Sequence, residues 1–142
     1  MCLSLFGYGQ SGQTEYEQIT TTLNYYLEGG TNNDFDTLKK AFHQNATMKF
    51  IGDDGYQEVN VLEAFEKGMK PGPKQNRETH IAEITQTGNT ANARLEIVYP
   101  DVIITDYMNL LKIDGQWKIV NKIFSKKVIL NNTLNLPKWR NW

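Results

Sequence analysis

An internal disulfide is excluded at once, because Cys2 is the single cysteine of the chain, and a cysteine-rich metal site goes with it. Histidine is nearly as scarce: His43 and His80 are too few for a histidine-based metal centre, so no metal is expected. Neither sign of charge dominates. Fifteen basic against sixteen acidic residues leave a net charge of −1, which argues against the clustered basic footprint of a nucleic-acid binder. No run approaches the roughly 18 apolar residues of a membrane span. Glycine-rich phosphate loops, nucleophile elbows and paired-carboxylate motifs are also missing, and no cofactor is expected. Nor does the chain carry an internal repeat, a low-complexity tract or an interdomain linker.

What remains is an ordinary globular composition, 39% hydrophobic and 22% charged, in 142 residues, enough for one domain with a real core. Tyr16, Ile19, Leu23, Tyr26 and Leu27 follow helical spacing, with Thr14 and Glu17 as a capping box and Gly29-Gly30 as the expected stop. A short helix capped by Asn33 or Asp34 turns Phe35, Leu38 and Phe42 inward, and His43 reads as its C-terminal cap. Ala46–Ile51 and Tyr56–Val59 read as a strand pair around Asp53-Asp54-Gly55. Asn60 then caps a third helix from Val61 to about Met69. Pro71-Gly72-Pro73 forces a loop. Strands follow over Glu78–Thr87, Thr90–Tyr99, Val102–Ile113 and Gln116–Val128, with His80 on the surface. Helices first and a long meander after them define an α+β domain over residues 14–128.

Residues 1–13 read as a flexible N-terminal extension or the remnant of an export signal, so a cytoplasmic and an exported protein both stay open. Residues 129–142 form a C-terminal tail in which Leu134, Leu136, Trp139 and Trp142 show no clear period.

The most informative stretch is Asp106–Phe124. Asp114-Gly115 is the pair that a two-residue type I′ hairpin prefers, since both positions need positive φ. Strict alternation from that turn puts Asp106, Met108, Leu110, Trp117, Ile119, Asn121 and Ile123 on one face. Tyr107, Asn109, Leu111, Lys118, Val120, Lys122 and Phe124 fall on the other. Trp117 and Ile119 should pack on the helices, a burial that for the tryptophan contributes about 3 kcal/mol. Asp106 and Asn121 then become polar groups in an apolar wall, the composition of a small-molecule pocket.

The order of these elements, the strings Leu23–Gly29 and Asn33–Thr47, and the ending Asp114-Gly-Gln-Trp-Lys-Ile119 together resemble the nuclear-transport-factor-like superfamily. The run from Asp106 to Phe124 is similar to its uncharacterised "putative lumazine-binding" branch of bacterial proteins, and the whole also resembles the ketosteroid isomerase and polyketide cyclase group. The resemblance spans about Tyr16 to Lys127. It implies a cone-shaped barrel: a strongly curved, mainly antiparallel sheet wrapped around about three N-terminal helices. It further implies a deep pocket at the open end and a homodimer formed through the outer sheet face. The isomerases' tyrosine donor falls on Tyr26. Their general base, an aspartate, falls on Phe50, and phenylalanine cannot take a proton.

Three functional readings follow. The first is a domain binding a small apolar molecule, with Tyr26, Phe50, Met108 and Asn121 as ligand contacts. The second is a dehydratase-, cyclase- or isomerase-type enzyme, with Asp106 as acid or base and Tyr26 as donor. The third is an interaction module whose cone is plugged by Phe42, Phe50, Phe65 and Met108. Each residue also has a structural reading: Tyr26 as a core tyrosine, Asp106 held by a backbone amide or Arg94, Asn121 as a network member, and Tyr107 with Lys122 at a subunit interface or salt-bridged surface.

Overall fold

In the computed structural model, residues 12–129 are described. Helix α1 runs Glu15–Thr31 and opens on the reciprocal capping box: the Thr14 hydroxyl accepts from the Glu17 amide, and the Glu17 carboxylate accepts from the Thr14 amide. It continues through Gly29 and Gly30 to a cap at Asn32, past the expected stop. The glycines serve close approach instead. A Cβ on Gly29 would meet the Leu38 backbone nitrogen at 2.5 Å, so their absence lets α2 (Phe35–Leu38) lie directly on α1. Asp34 caps α2 through the Thr37 amide.

A 3-10 turn, Lys39–Ala41, leads into β1 (Phe42–Gly52), which begins earlier than expected. His43 therefore lies in a strand and is not a helix cap; its Nδ1 accepts from the Asn45 amide. Strand β2 (Gly55–Asn60) pairs back on β1, and Asn60 caps α3 (Val61–Gly68) through the Glu63 amide. The meander β3 (Glu78–Thr87), β4 (Thr90–Val98), β5 (Val102–Ile113) and β6 (Gln116–Val128) completes one curved, open sheet in the order β2-β1-β6-β5-β4-β3. All neighbours are antiparallel except β1 and β6.

The core lies between the inner sheet face and the helices, where Ile19, Leu23, Leu38, Met108, Leu110 and Ile119 are fully buried. Trp117 is buried as well. Its indole donates to Glu15 at 2.6 Å, its carbonyl accepts from Thr22 at 2.9 Å, and together they fasten β6 to α1.

The β5–β6 turn is Asp114-Gly115, with φ of 50° and 80°. From it the pairs Ile113–Gln116 and Leu110–Ile119 form as alternation demands. The ladder then slips. Asn109 pairs with Asn121 and Met108 with Lys122, leaving Val120 as an extra residue in β6. Beyond this bulge every β6 side chain has changed face. Lys122 and Phe124 turn inward, while Ile123 turns out and is 45% exposed. The face assignments made from sequence for Asn121, Lys122, Ile123 and Phe124 are corrected accordingly. The expectations for the first eleven residues and for the tail from residue 130 lie outside the described residues.

Candidate functional site

The inward turn of Lys122 creates a buried ionic group, unusual among the described residues. Asp106 is completely buried and Lys122 is 4% exposed, and their Nζ and Oδ1 atoms stand 3.2 Å apart. The Tyr26 hydroxyl, delivered by the inner face of α1, donates to Oδ2 of the same carboxylate at 2.6 Å. Oδ1 accepts no hydrogen bond; its neighbour is the Lys122 ammonium, held in an ion contact off the line of a hydrogen bond. Lys122 also lies 4.0 Å above the Phe124 ring and within 3.7 Å of the Met48 sulfur.

Burying an ion pair costs several kcal/mol of desolvation per charge, which must be offset by mutual attraction and further contacts. Desolvation lowers the Lys122 pKa, with the Arg77 charge acting in the same direction and the Asp106 carboxylate opposing both. Burial, then the Asp106 charge and the bond to it, raise the Tyr26 phenol well above its ordinary value.

Tyr26 and Lys122 line a pocket of about 820 Å³, with Asp106 directly behind them. Its walls come from α1, the end of α3, the Pro71–Arg77 loop and the inner faces of β4, β5 and β6. Phe65, Tyr99 and Phe124 supply aromatic surface, while Lys70, Lys74, Arg77 and Lys126 add four cations to the lining; among the described lining residues Asp101 is the one acid. The pocket is thus cationic within a nearly neutral chain.

Arg77 is fixed in this wall by three bonds: to the Leu27 carbonyl at the end of α1 (3.0 Å), to the Thr31 hydroxyl (2.8 Å) and to the Tyr99 hydroxyl (3.0 Å). Tyr99 in turn donates to Gln75 at 2.9 Å. Desolvation, followed by repulsion from Lys122, lowers the Lys126 pKa.

The structure thus brings Tyr26 and Asp106 together. Three other residues proposed as ligand contacts lie off the pocket lining. Asn121, carried to the outer face by the bulge, bonds Thr47 and Asn109 at 3.1 Å each. Met108 is completely buried in the core. Phe50 stacks on Phe124 at 5.0 Å between centroids, and Phe124 holds the pocket-facing position. Lys122, Phe124, Arg77 and Tyr99 were missed by sequence reasoning. The first two depend on the bulge, and the last two sit where neither spacing nor composition marks them. Among the described residues no cluster of acidic, histidine or cysteine side chains could hold a metal ion, and no helix is long and apolar enough to cross a membrane.

A curved, open sheet wrapped over helices in this order is the NTF2-like fold. An NTF2-like protein of unknown function from Shewanella baltica superposes with a TM-score of 0.70 at 28% identity, covering 82% of this chain and 98% of its own. One from Methylobacillus flagellatus gives 0.68 at 29%, covering 78% and 90%. A ketosteroid isomerase-like protein from Erwinia carotovora atroseptica shares the fold at 15% identity and a TM-score of 0.64, covering 81% and 98%. The family described as "putative lumazine-binding" matches residues 14–125, and the chain belongs to that family. It is also similar to the aldolase FrzH of a Cladobotryum species, 26% identical over 114 residues, which is 78% of this chain and 90% of the relative.

Proposed function

We propose that this protein binds a small anionic carbonyl compound in the pocket and moves a proton at the carbon beside the carbonyl. The observation that carries the reading is the convergence of Tyr26 and Lys122 at the pocket wall on the Asp106 carboxylate behind them, three ionisable groups withdrawn from water. Tyr26 and Lys122 are donors that can stabilise negative charge developing on a carbonyl oxygen, and Asp106 is the acceptor for the proton. The cationic lining, with Arg77 held rigid by three bonds, suits a carboxylate or phosphate on the ligand better than the purely apolar molecule expected from sequence. The similarity to an aldolase is consistent with this, since an aldol reaction begins by removing a proton beside a carbonyl.

The binding half is tested by nuclear magnetic resonance with a panel of small 2-oxo acids, their amides, and lumazine. The acids should shift the signals of Phe65, Arg77, Tyr99 and Lys122, and the amides should do so more weakly. Shifts confined to the outer sheet face, or none, would reject it.

We also infer a homodimer through the outer sheet face. Exposed Tyr107, Leu111 and Ile123 support it, with Ile123 taking the place assigned from sequence to Phe124.

A further inference from the structure

We propose that Lys122 is a nucleophile that condenses with the carbonyl carbon of an aldehyde or ketone in the pocket to form an imine. This rests on the pocket being the binding site.

Three features of its surroundings favour that role over a purely structural ion pair. First, a buried pair is a poor way to stabilise a core, since well-packed apolar residues of similar volume do as well or better. Second, the pair sits at a cavity wall, with Lys122 reaching the pocket while its partner is shielded. Third, the carboxylate is arranged asymmetrically: Tyr26 occupies Oδ2, whereas Oδ1 stands 3.2 Å from Nζ with no other partner, close enough to take its proton after a small rotation of the ammonium. The groups facing Lys122 are Asp106 on β5, Tyr26 on α1, Met48 on β1 and Phe124 on its own strand, with Arg77 acting at longer range. Of these Asp106 alone is an acid. Desolvation, as noted, favours the neutral amine that nucleophilic attack requires.

The step balances without any further reagent. One Nζ proton passes to Oδ1 of Asp106. The freed lone pair forms the C–N bond, the carbonyl π pair moves to oxygen, and that oxygen takes the proton from Asp106. The nitrogen returns a second proton to Asp106. The hydroxyl then leaves with it as water, and the nitrogen lone pair closes the C=N bond. The iminium keeps the positive charge opposite the Asp106 carboxylate, so the buried pair stays neutral throughout. An iminium acidifies the neighbouring C–H, and Asp106, 3.2 Å from Nζ, is the base beside it.

The chain is treated in parallel with acetylacetone, which converts reactive lysines to a stable absorbing enaminone, and with pyruvate followed by cyanoborohydride. Sites are located by peptide mass mapping. One adduct per chain at Lys122, slowed by excess lactate and absent from Lys122→Arg, is expected. The arginine variant keeps the cation opposite Asp106, so its fold is checked by circular dichroism alongside. Labelling of Lys70, Lys74 or Lys126 ahead of Lys122, or none at Lys122 with either reagent, overturns the imine. Lactate shifts at Phe65 and Tyr99 separate the outcomes. Binding without an adduct rejects the nucleophile and leaves the pocket standing, while neither binding nor adduct rejects both.

Discussion

Lys122 stands opposite Met108 across the β5–β6 ladder, one place out of step with the Asp114-Gly115 turn, and so meets Asp106 inside the domain. Removing one partner of a buried pair strands the other, at about 3–5 kcal/mol. Asp106→Asn should therefore destabilise the protein by about that much in urea unfolding. Lys122→Met should cost less, because the carboxylate keeps its Tyr26 donor. The double variant Asp106→Leu/Lys122→Met should recover most of the loss. Strictly additive losses would mean that the two groups do not interact.

Tyr26 carries a pH signature. Its folded pKa is raised, so the native state keeps this proton where the unfolded chain gives it up. The resulting stability is complete below about pH 10 and is lost as pH rises through the folded value. Ultraviolet titration should find Tyr26 the last of the seven tyrosines to ionise, with Tyr56, raised by its bond to Glu58, also late. Tyr26→Phe should abolish that last ionisation and remove about 1.5–3 kcal/mol through the lost bond to Asp106. A phenol that ionises with the others would show that the hydroxyl is not held there.

Gly29→Ala sets two effects against each other. Alanine improves helix propensity by up to about 1 kcal/mol, but its methyl would strike the Leu38 backbone, which cannot swing aside as a side chain can. The clash should win, with net destabilisation of about 1–3 kcal/mol and a lower thermal midpoint. An unchanged or higher midpoint would mean that α2 is free to move off α1.

The outer sheet face yields a prediction about assembly. Tyr107, Leu111 and Ile123 are 43%, 38% and 45% exposed on adjacent strands β5 and β6. Paired with a second copy they would be covered, and light scattering should report a dimer at micromolar concentration that Tyr107→Lys/Ile123→Lys converts to monomer. A wild-type monomer with these residues open to hydrogen exchange would reject the dimer.

The elements were legible because each carries a local signal: Thr14 with Glu17, Asp34, Asn60, the proline loop and Asp114-Gly115. The inward turn of Asp106 and Trp117 was legible for the same reason, since both lie on strand stretches whose alternation holds. The second half of β6 was not. Val120 is β-branched and suits any strand, so nothing local marks it as a bulge. Its cause is tertiary: β1 also slips against β6, between Phe42 and Thr47, so the central strand bends between neighbours whose registers both change. One extra residue there exchanged Asn121 for Lys122 at the site and turned a mild polar pocket into a buried ionic one. The glycine pair failed as a stop signal for a related reason, because close packing on Leu38 is invisible along the chain.

Proton exchange at the carbon beside a carbonyl tests the central claim most directly. Pyruvate and a series of larger 2-oxo acids, incubated with the protein in deuterium oxide, should lose their C3 proton signals faster than in buffer. Asp106→Asn should abolish that acceleration, while Tyr26→Phe should slow it, because its donor polarises the system without accepting the proton. Exchange no faster than in buffer for every acid tried, or exchange indifferent to Asp106→Asn, would contradict the assignment of Tyr26, Asp106 and Lys122 as chemical machinery.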